Sequence, residues 1–408
     1  MRRTARPSRR PTAALWAAVL ACSVCLGPAR GVRAGDREST AEIRERDLNR
    51  GRRAAIERGC RWIASKQVDG GAFGGEKALV AYTALSVLAL MSQGSGVGRG
   101  PYGESIRKGV EFLVKLVEQP PRSDVVYPKG YFKALEDSNS RMHGKGYAML
   151  ALATALASAD AELAPRIRTV MRRAVAVAES SQTVYGGWGY NPSGMEDHEG
   201  SVTVTVAQGL RAARDAGLHV SRQVVENGLG YLLKSQKHLG PDDPEDGSFK
   251  YSLTQDRSTY ALTAAAISSF LLFGEYGLDP AKPERRKAID DGVAYMKRRL
   301  KDMFTQPEWF YYGHFYAAWA AWQIDGERPL PEGSSAWGDS PVDGEIQNSK
   351  QFWGPWHAKV YPYLLRSQHD DGHWSDDPDK FGFGELLPTT FAVLTLAIPD
   401  ELIPIFQR

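Results

Sequence analysis

The sequence predicts an all-α protein in which six helix pairs form two concentric rings. Segments with helical periodicity occur in pairs: the first member carries many charges and one apolar stripe, and the second is apolar or small nearly all round. The pairs recur at a period of roughly 50 to 65 residues, which is typical of repeat architectures. We therefore expect an exposed outer ring around a buried inner ring, with an open solenoid of helix pairs as the competing layout.

The helix pairs are expected to fill one domain, residues 54–408. It follows residues 1–34 and a charged segment, residues 35–53, which we expect to be mobile. The six expected pairs, with the outer helix first, are Ala54–Gln67 with Ala78–Gln93, Glu104–Gln119 with Met142–Ala157, Glu162–Gln182 with Ser201–Ala216, Ser221–Gln236 with Ser258–Gly274, Glu284–Lys301 with Phe310–Ile324, and Gln347–Gln368 with Leu387–Ile398.

Residues 1–34 have the features of a secretory signal peptide. A basic start, Met1-Arg2-Arg3, is followed by an apolar run, Ala13–Leu26, and by small residues that end at Ala34. This run is too short to span a bilayer stably, and no other apolar run is long enough. Lipoprotein cleavage is the competing interpretation, and it would leave Cys22 acylated as a lipid anchor. We expect an exported protein that is periplasmic or otherwise extracytoplasmic.

Removal of the signal changes the charge balance. Residues 1–34 hold 7 of the 51 basic residues and none of the 48 acidic ones, so the remaining chain carries 44 against 48, a net charge of −4. This balance argues against a nucleic-acid partner. Cys60 is the one cysteine beyond the signal, so the sequence predicts no disulfide framework within the chain. We expect a monomer whose partner is a small-molecule ligand.

A short motif recurs within the outer helices and the turns that follow them. In four outer helices a glycine precedes an aromatic and an aliphatic residue, as in Gly59 with Trp62-Ile63. A glutamine later in the repeat is followed by a turn with glycine and an aromatic residue. The four copies of this turn join Gln67 to Phe73, Gln182 to Trp188, Gln236 to Phe249 and Gln368 to Trp374. Glycine permits a tight reversal, and the glutamine amide can bond to backbone groups that the helix leaves free.

This motif resembles the QW-type repeat of squalene and oxidosqualene cyclases and the related repeat of protein prenyltransferase β subunits. The chain is also similar to planctomycete-type exported proteins described as prenyltransferase or squalene oxidase repeat proteins. The resemblance covers nearly all of the chain beyond the signal, and four of the six repeats carry the motif. It implies an α/α toroid like that of the terpenoid cyclases and protein prenyltransferases, with a central cavity at the N-terminal ends of the inner helices.

In a closed ring, the loops that enter the inner helices would meet at one mouth of the cavity. The candidate catalytic residues lie at such entries, where they could carry out general acid-base chemistry: His143, Asp197, His198, Glu199 and His314. The candidate ligand-binding residues are aromatic: Tyr147, Trp188, Tyr190, Tyr311 and Tyr312. The competing interpretation is that Asp197 and Glu199 cap an inner helix and that the histidines are satisfied buried residues.

The chemistry of the two families is not fully represented in this sequence. The Asp-x-Asp-Asp acid that the cyclase resemblance implies is absent, and residues 196–199 occupy a comparable place. The zinc-binding cysteine of the prenyltransferases is also absent, because Cys60 lies on an outer helix. We therefore predict no metal and no cofactor, with an oxygen and nitrogen site formed by Asp197 and the three histidines as the alternative.

The sequence leaves several functions open. By resemblance, the protein acts on or binds an isoprenoid or another lipid in a central cavity. A carbohydrate-active enzyme is the first alternative, and a non-catalytic binding or scaffolding protein of the envelope is the second. The centre of the ring distinguishes them: an apolar aromatic lining would favour an isoprenoid, a polar lining a sugar, and a filled centre a scaffold.

Overall fold

The computed structural model describes residues 40–75, 77–120, 127–134, 137, 139–195, 198–273, 280–305, 307–326, 352–376 and 382–407, with side chains from residue 45. The chain divides into two units, residues 1–40 and 41–408. The predicted signal peptide and Cys22 lie outside the described residues, as does Asp197. No helix in the described ranges is long and apolar enough to cross a membrane.

The described residues form thirteen α-helices. These are α1 Thr40–Ser65, α2 Leu79–Met91, α3 Gly103–Glu118, α4 Arg141–Leu156, α5 Leu163–Ser180, α6 Gly200–Asp215, α7 Arg222–Ser235, α8 Tyr260–Leu272, α9 Pro283–Arg299, α10 Asp302–Thr305, α11 Phe310–Asp325, α12 Trp353–Ser367 and α13 Leu386–Ala397. Two 3₁₀ helices follow, Ile398–Asp400 and Pro404–Phe406. Apart from the short α10, they match the six expected pairs.

The inner helices form a closed ring. In the order α2, α4, α6, α8, α11 and α13, each packs against the next, and α13 packs against α2. Every residue of α2 is buried, whereas α3 buries one face. The predicted all-α toroid is therefore confirmed, and the open solenoid is excluded because the last inner helix meets the first.

The first outer helix begins earlier than expected. Residues from Thr40 onward are helical, although the segment to residue 53 was expected to be mobile. The Arg52 guanidinium explains this order: it donates to the Leu396 carbonyl at 2.7 Å and to both carboxylate oxygens of Asp400 at 2.7 and 2.8 Å. Arg52 is 3% exposed. The amino-terminal half of α1 is thus anchored to the end of the last helix pair.

Four glutamines join neighbouring repeats through the same pair of hydrogen bonds. The Gln67 amide donates to the carbonyl of Gly71 in its own turn at 3.0 Å and to the carbonyl of Ser105 on the next outer helix at 2.9 Å. Gln182, Gln236 and Gln368 bond in the same way to Gly186 and Val224, to Gly247 and Ala288, and to Gly372 and Ala55. Because Ala55 lies on α1, the last glutamine closes the outer ring.

The turn aromatics of the same four repeats are held by threonines of the inner helices. The backbone N–H of Trp188 donates to the Thr203 hydroxyl at 3.0 Å. The matching pairs are Phe73 with Thr83, Phe249 with Thr263 and Trp374 with Thr389. The turn glycine approaches the next outer helix so closely that a Cβ on Gly186 would lie 2.3 Å from the Asn227 carbonyl oxygen. We call the first, third, fourth and sixth repeats the complete repeats.

The second and fifth repeats are incomplete. The first five residues of α4 and α11 contain no threonine. Lys145 and His314 are each the fifth residue, as Thr83 is in α2, whereas Thr203, Thr263 and Thr389 are the fourth residues of their helices. We compare Lys145 and His314 with these threonines. In the second repeat, Gly130 keeps the close glycine contact, but the Lys145 ammonium donates to its carbonyl, at 3.3 Å, in place of a glutamine amide. The fifth turn contains no glycine between residues 300 and 309.

Candidate functional site

Glu199 caps the third inner helix. Its carboxylate accepts the backbone N–H of Val202 at 2.7 Å and the hydroxyl of Ser201 at 2.6 and 2.7 Å. A carboxylate at a helix N-terminus is stabilised by the helix dipole and by the free N–H groups. For Glu199, the capping interpretation of the sequence is correct.

His143 extends this network from the neighbouring helix. Its Nε2 lies 2.7 Å from Ser201 Oγ and 4.0 Å from a carboxylate oxygen of Glu199. Because the single hydroxyl proton of Ser201 goes to Glu199, the network assigns the histidine proton to Nε2. Burial, aided by the nearby Arg141 cation, lowers the pKa of His143 to about 4, although 21% of the side chain is exposed. The imidazole is therefore neutral at neutral pH.

Two tyrosines form an aromatic wall beside His143. The hydroxyls of Tyr190 and Tyr251 lie 2.7 Å apart, and the ring of Tyr190 lies 5.6 Å from the imidazole of His143. The Arg141 guanidinium stands 5.5 Å from the centre of the Tyr190 ring. Tyr190 and Tyr251 are both partly exposed.

Below this wall, hydrogen-bonded side chains meet from opposite sides of the ring. The Tyr147 hydroxyl of α4 lies 3.4 Å from the Tyr316 hydroxyl of α11. Tyr316 also donates to Gln208 of α6 at 2.9 Å. All three side chains are buried. Polar groups of three inner helices therefore fill the middle of the ring at this level.

Tyr312 lies between this floor and the wall. Its ring packs edge to face on Tyr316 at 4.8 Å and on Phe391 at 5.7 Å. Burial raises the pKa of Tyr312 well above its usual value, and the charges of Tyr147 and Glu199 raise it further. Its buried hydroxyl lies near that of Tyr316 without hydrogen-bond geometry, and it has no hydrogen-bond partner in the described part of the chain. This hydroxyl is therefore buried without a partner among the described residues.

We define the mouth cluster as His143, Tyr190, Glu199, Ser201 and Tyr312. Four of these residues are predicted by the sequence; Ser201 was missed. The sequence signal for Ser201 was its position two residues after the capping residue Glu199, where a short hydroxyl can reach the carboxylate. Sequence reasoning passed over it because serine is common at helix starts.

The cluster does not have the geometry of a serine nucleophile. Its carboxylate bonds to the serine rather than orienting the histidine. The nearby backbone N–H groups are also occupied: Gly200 donates to the Tyr251 carbonyl, and Val202 and Thr203 donate to Glu199. Among the described residues around Ser201, no pair of free N–H groups is left to stabilise an oxyanion. What the arrangement offers is a set of hydrogen-bond donors and acceptors around a partly exposed opening.

The three histidines do not converge. His198 Nδ1 lies 3.1 Å from the hydroxyl of Tyr231, which belongs to the outer helix α7. His314 is buried among aromatic rings between α8, α11 and α12. Within the described ranges, no hydrogen bond or ring contact joins His143, His198 and His314. The grouping expected from the sequence is therefore not found, because each imidazole faces a different neighbouring helix.

The other predicted ligand-binding residues have structural contacts. Trp188 is 1% exposed, and its indole donates to the Ala178 carbonyl at 2.7 Å. The Tyr311 hydroxyl donates to the Ser375 carbonyl at 3.3 Å, away from the mouth cluster. Among the side chains that the structure describes, no three His, Cys, Asp or Glu residues come together as metal ligands.

A groove of about 440 Å³ lies where the first and last repeats meet. Its lining includes Trp62, Lys66, Tyr82, Phe383 and Glu385. Tyr82 belongs to the first turns of α2, and Glu385 precedes α13. The groove therefore opens at the same end of the inner helices as the mouth cluster.

No protein-family model matches the sequence, and no curated protein matches it. Solved structures of similar fold include an inactive variant of an α-1,6-mannanase from Salegentibacter sp. in complex with α-1,6-mannotriose, with 10% identity, a TM-score of 0.53, and coverage of 87% of this chain and 100% of that one. A variant of the type II terpene cyclase MstE from Scytonema, in complex with merosterolic acid A, has 14% identity, a TM-score of 0.52, and coverage of 88% and 99%. These likenesses show the α/α toroid fold.

Proposed function

We propose that this chain is an exported, monomeric toroid protein that binds a carbohydrate at the mouth cluster. The observation that carries the proposal is the hydrogen-bonded network of His143, Ser201 and Glu199 at the mouth. The floor below it is filled, because Tyr147, Tyr316 and Gln208 meet in the middle of the ring, and a filled centre by itself would favour a scaffold. A ligand is therefore expected to bind above this floor, at the polar mouth. Export rests on the predicted signal peptide, residues 1–34.

The mouth cluster suits a ligand rich in hydroxyl groups. Neutral His143, Ser201 and Glu199 present donors and acceptors within one network. The Tyr312 hydroxyl is buried and unpartnered in the described residues, and burying it without a partner costs about 1–3 kcal/mol. The partly exposed rings of Tyr190 and Tyr251 offer faces on which a sugar ring can stack. Sugars bring both hydroxyl groups and apolar faces.

An isoprenoid fits this arrangement less well. To bind in the centre, its hydrocarbon chain would have to displace Tyr147 and Tyr316 and leave buried polar groups without partners. The similar structures argue neither way, since the mannanase is described with a mannotriose and the cyclase with a terpenoid product. The fold itself accommodates either ligand class.

The proposal concerns binding rather than hydrolysis. Glycosidases generally place two carboxyl groups about 5 to 9.5 Å apart across the scissile bond. In the described mouth cluster, Glu199 is the one carboxylate, and it serves as a helix cap. Asp197, the other acidic candidate, lies outside the described residues.

The test compares two tyrosine variants in calorimetric titrations with a panel of oligosaccharides and with a soluble geranylgeranyl compound. We expect an oligosaccharide to bind and Tyr312→Phe to weaken it about tenfold, the effect of one lost hydrogen bond of about 1.4 kcal/mol. Tyr311→Phe is the matched control, because its hydroxyl bonds to the Ser375 carbonyl away from the mouth. Binding of the geranylgeranyl compound alone, or equal sugar binding by both variants, would contradict the proposal.

A further inference from the structure

We infer that Tyr260, His314 and Trp356 enclose a binding site for an ordered water molecule inside the fifth repeat. This site, which we call the histidine chamber, lies apart from the mouth cluster. Its three residues come from α8, α11 and α12. The inference gives His314, which the sequence predicted to be catalytic, a structural role. It does not depend on the proposed function.

The three side chains face one another in the interior. The His314 ring lies 5.8 Å from the ring of Tyr260 and 5.8 Å from that of Trp356. The exposed fractions of Tyr260, His314 and Trp356 are 5%, 1% and 0%. Phe310 and Phe304 close the remaining sides, with ring centres 4.4 and 5.6 Å from the imidazole. Aromatic rings therefore surround the imidazole, and Phe304, which is partly exposed, forms the side nearest to solvent.

Four polar atoms of the chamber lack a hydrogen-bond partner in the described part of the chain. They are both ring nitrogens of His314, the Tyr260 hydroxyl and the Trp356 indole nitrogen. Trp356 lies close enough to Tyr260 to oppose the rise of its pKa, but without the geometry of a hydrogen bond. Buried polar groups nearly always have a partner in the protein or in ordered water. Four orphans at one place point to a shared partner.

The hydrogen-bonding chemistry of the chamber matches water. Burial lowers the pKa of His314 to about 3, so the imidazole is neutral and offers one donor and one acceptor. The Trp356 indole can only donate, whereas the Tyr260 hydroxyl can donate and accept. Water has two protons and two lone pairs and typically makes about three bonds when buried. It can therefore serve donors and acceptors together.

Other occupants fit the chamber less well. A metal cation would need anionic or additional ligands, and the rings that contact His314 are Tyr260, Phe304, Phe310 and Trp356. An anion would meet the acceptor nitrogen of a neutral imidazole. A larger polar molecule would have to displace Phe304 or Phe310. A single neutral molecule of the size of water remains.

The repeat pattern explains why water is needed here. In the complete repeats, a threonine hydroxyl at this helical position accepts the N–H of the turn aromatic, as Thr263 does for Phe249. The fifth turn has no glycine, and no such bond reaches His314 in the described residues. In the fifth repeat, His314 stands in for the threonine that accepts a turn N–H in the complete repeats, and it takes its hydrogen-bond partner from a water molecule trapped during folding.

The sign of a stability change tests the inference. In the full chain, Tyr260→Phe removes one hydroxyl without changing the ring. If that hydroxyl bonds to a buried water, the variant should unfold at a lower urea concentration than the parent. Tyr361→Phe is the matched control, because it removes a buried hydroxyl bonded directly to the Thr395 carbonyl at 2.9 Å. A higher midpoint for Tyr260→Phe would overturn the inference, since it would show that the hydroxyl was buried without a partner.

A second variant and a direct observation complete the test. A shared water predicts that His314→Phe and Tyr260→Phe are non-additive, because the first substitution already breaks the bridge. Additive effects in the double variant would contradict it. A crystal structure at high resolution should show water density within hydrogen-bond distance of at least two of the four atoms. A dry chamber in that map would also overturn the inference.

Discussion

The complete and the incomplete repeats occupy the same ring but serve different purposes. In a complete repeat such as the third, Gln182, Gly186, Trp188 and Thr203 are all used in contacts between neighbouring elements. In the second and fifth repeats, the threonine position holds Lys145 or His314. The two incomplete repeats lie opposite each other, since two complete repeats lie between them in either direction around the ring.

This difference shows which positions of the ring can carry functional side chains. The mouth cluster draws His143 from the second repeat and Tyr312 from the fifth, and its other members from the complete third repeat. Its floor joins Tyr147 to Tyr316 across the ring. Each of these floor tyrosines stands two residues after the substituted threonine position. Because four complete repeats close the ring, the other two inner helices can carry titratable and polar side chains. The predictions below test this division.

The largest effect is expected at the turn glycine of a complete repeat. Gly186 has φ of +95°, and a Cβ there would lie 2.3 Å from the Asn227 carbonyl oxygen. Gly186→Ala combines a left-handed backbone with a collision against main chain, so we expect a loss of about 4 kcal/mol in the free energy of unfolding. Chemical denaturation followed by circular dichroism measures it.

Gly217→Ala is the control for this prediction. Gly217 has φ of +80°, but no atom lies within 4 Å of its Cβ position. The control should therefore lose about 1 kcal/mol, from backbone strain alone. Equal losses for the two variants would show that the close packing between repeats adds nothing.

The second effect belongs to an incomplete repeat and depends on pH. Burial lowers the pKa of Lys145 to about 7, well below the 10.5 of a free lysine. Below pH 7 the folded and unfolded chains both hold the proton. Between pH 7 and 10.5 the unfolded chain holds a proton that the folded chain has released, so stability rises with pH. From pH 7 to 10 this contribution amounts to about 3 kcal/mol.

Lys145→Met should remove this rise. The free energy of unfolding is measured at pH 7, 8.5 and 10 for the parent and for the variant. The difference between the two proteins is then compared across the three pH values. Lys108→Met, at an exposed position of α3, should leave the slope unchanged. If the parent and Lys145→Met have parallel profiles, Lys145 stays charged throughout, and the second repeat does not bury a neutral amine.

The ring could be predicted from the sequence because its signals are local and repeated. Helical periodicity located the helices, and the order of Gln182, Gly186 and Trp188, a glutamine followed by a glycine and an aromatic residue, recurs in four turns. The glutamine of the second repeat shows the limit of this signal. Gln119 precedes Gly130 by the same interval that separates Gln236 from Gly247, yet its side chain is exposed and makes no bond to a described residue.

The site was predicted less well because it depends on directions that spacing does not encode. His143, His198 and His314 each stand near an inner-helix entry, but a shift of one or two residues along a helix turns a side chain towards a different neighbour. His198 consequently faces the outer ring. The early start of α1 was missed for a similar reason, because the partner of Arg52 is Asp400, at the far end of the sequence.

The smallest effect is expected at the threonine of a complete repeat. Thr203 accepts the Trp188 N–H at 3.0 Å, whereas Thr205, equally buried on the same helix, donates to the Val202 carbonyl. Thr203→Val leaves a buried N–H without an acceptor and should cost about 1.5 kcal/mol in the free energy of unfolding. Thr205→Val removes a donor from a carbonyl within its own helix and should cost less than half as much. Equal losses in the free energy of unfolding would mean that the Thr203 hydroxyl contributes no more than that of Thr205. The presence of Lys145 and His314 in place of threonine would then not destabilise the incomplete repeats.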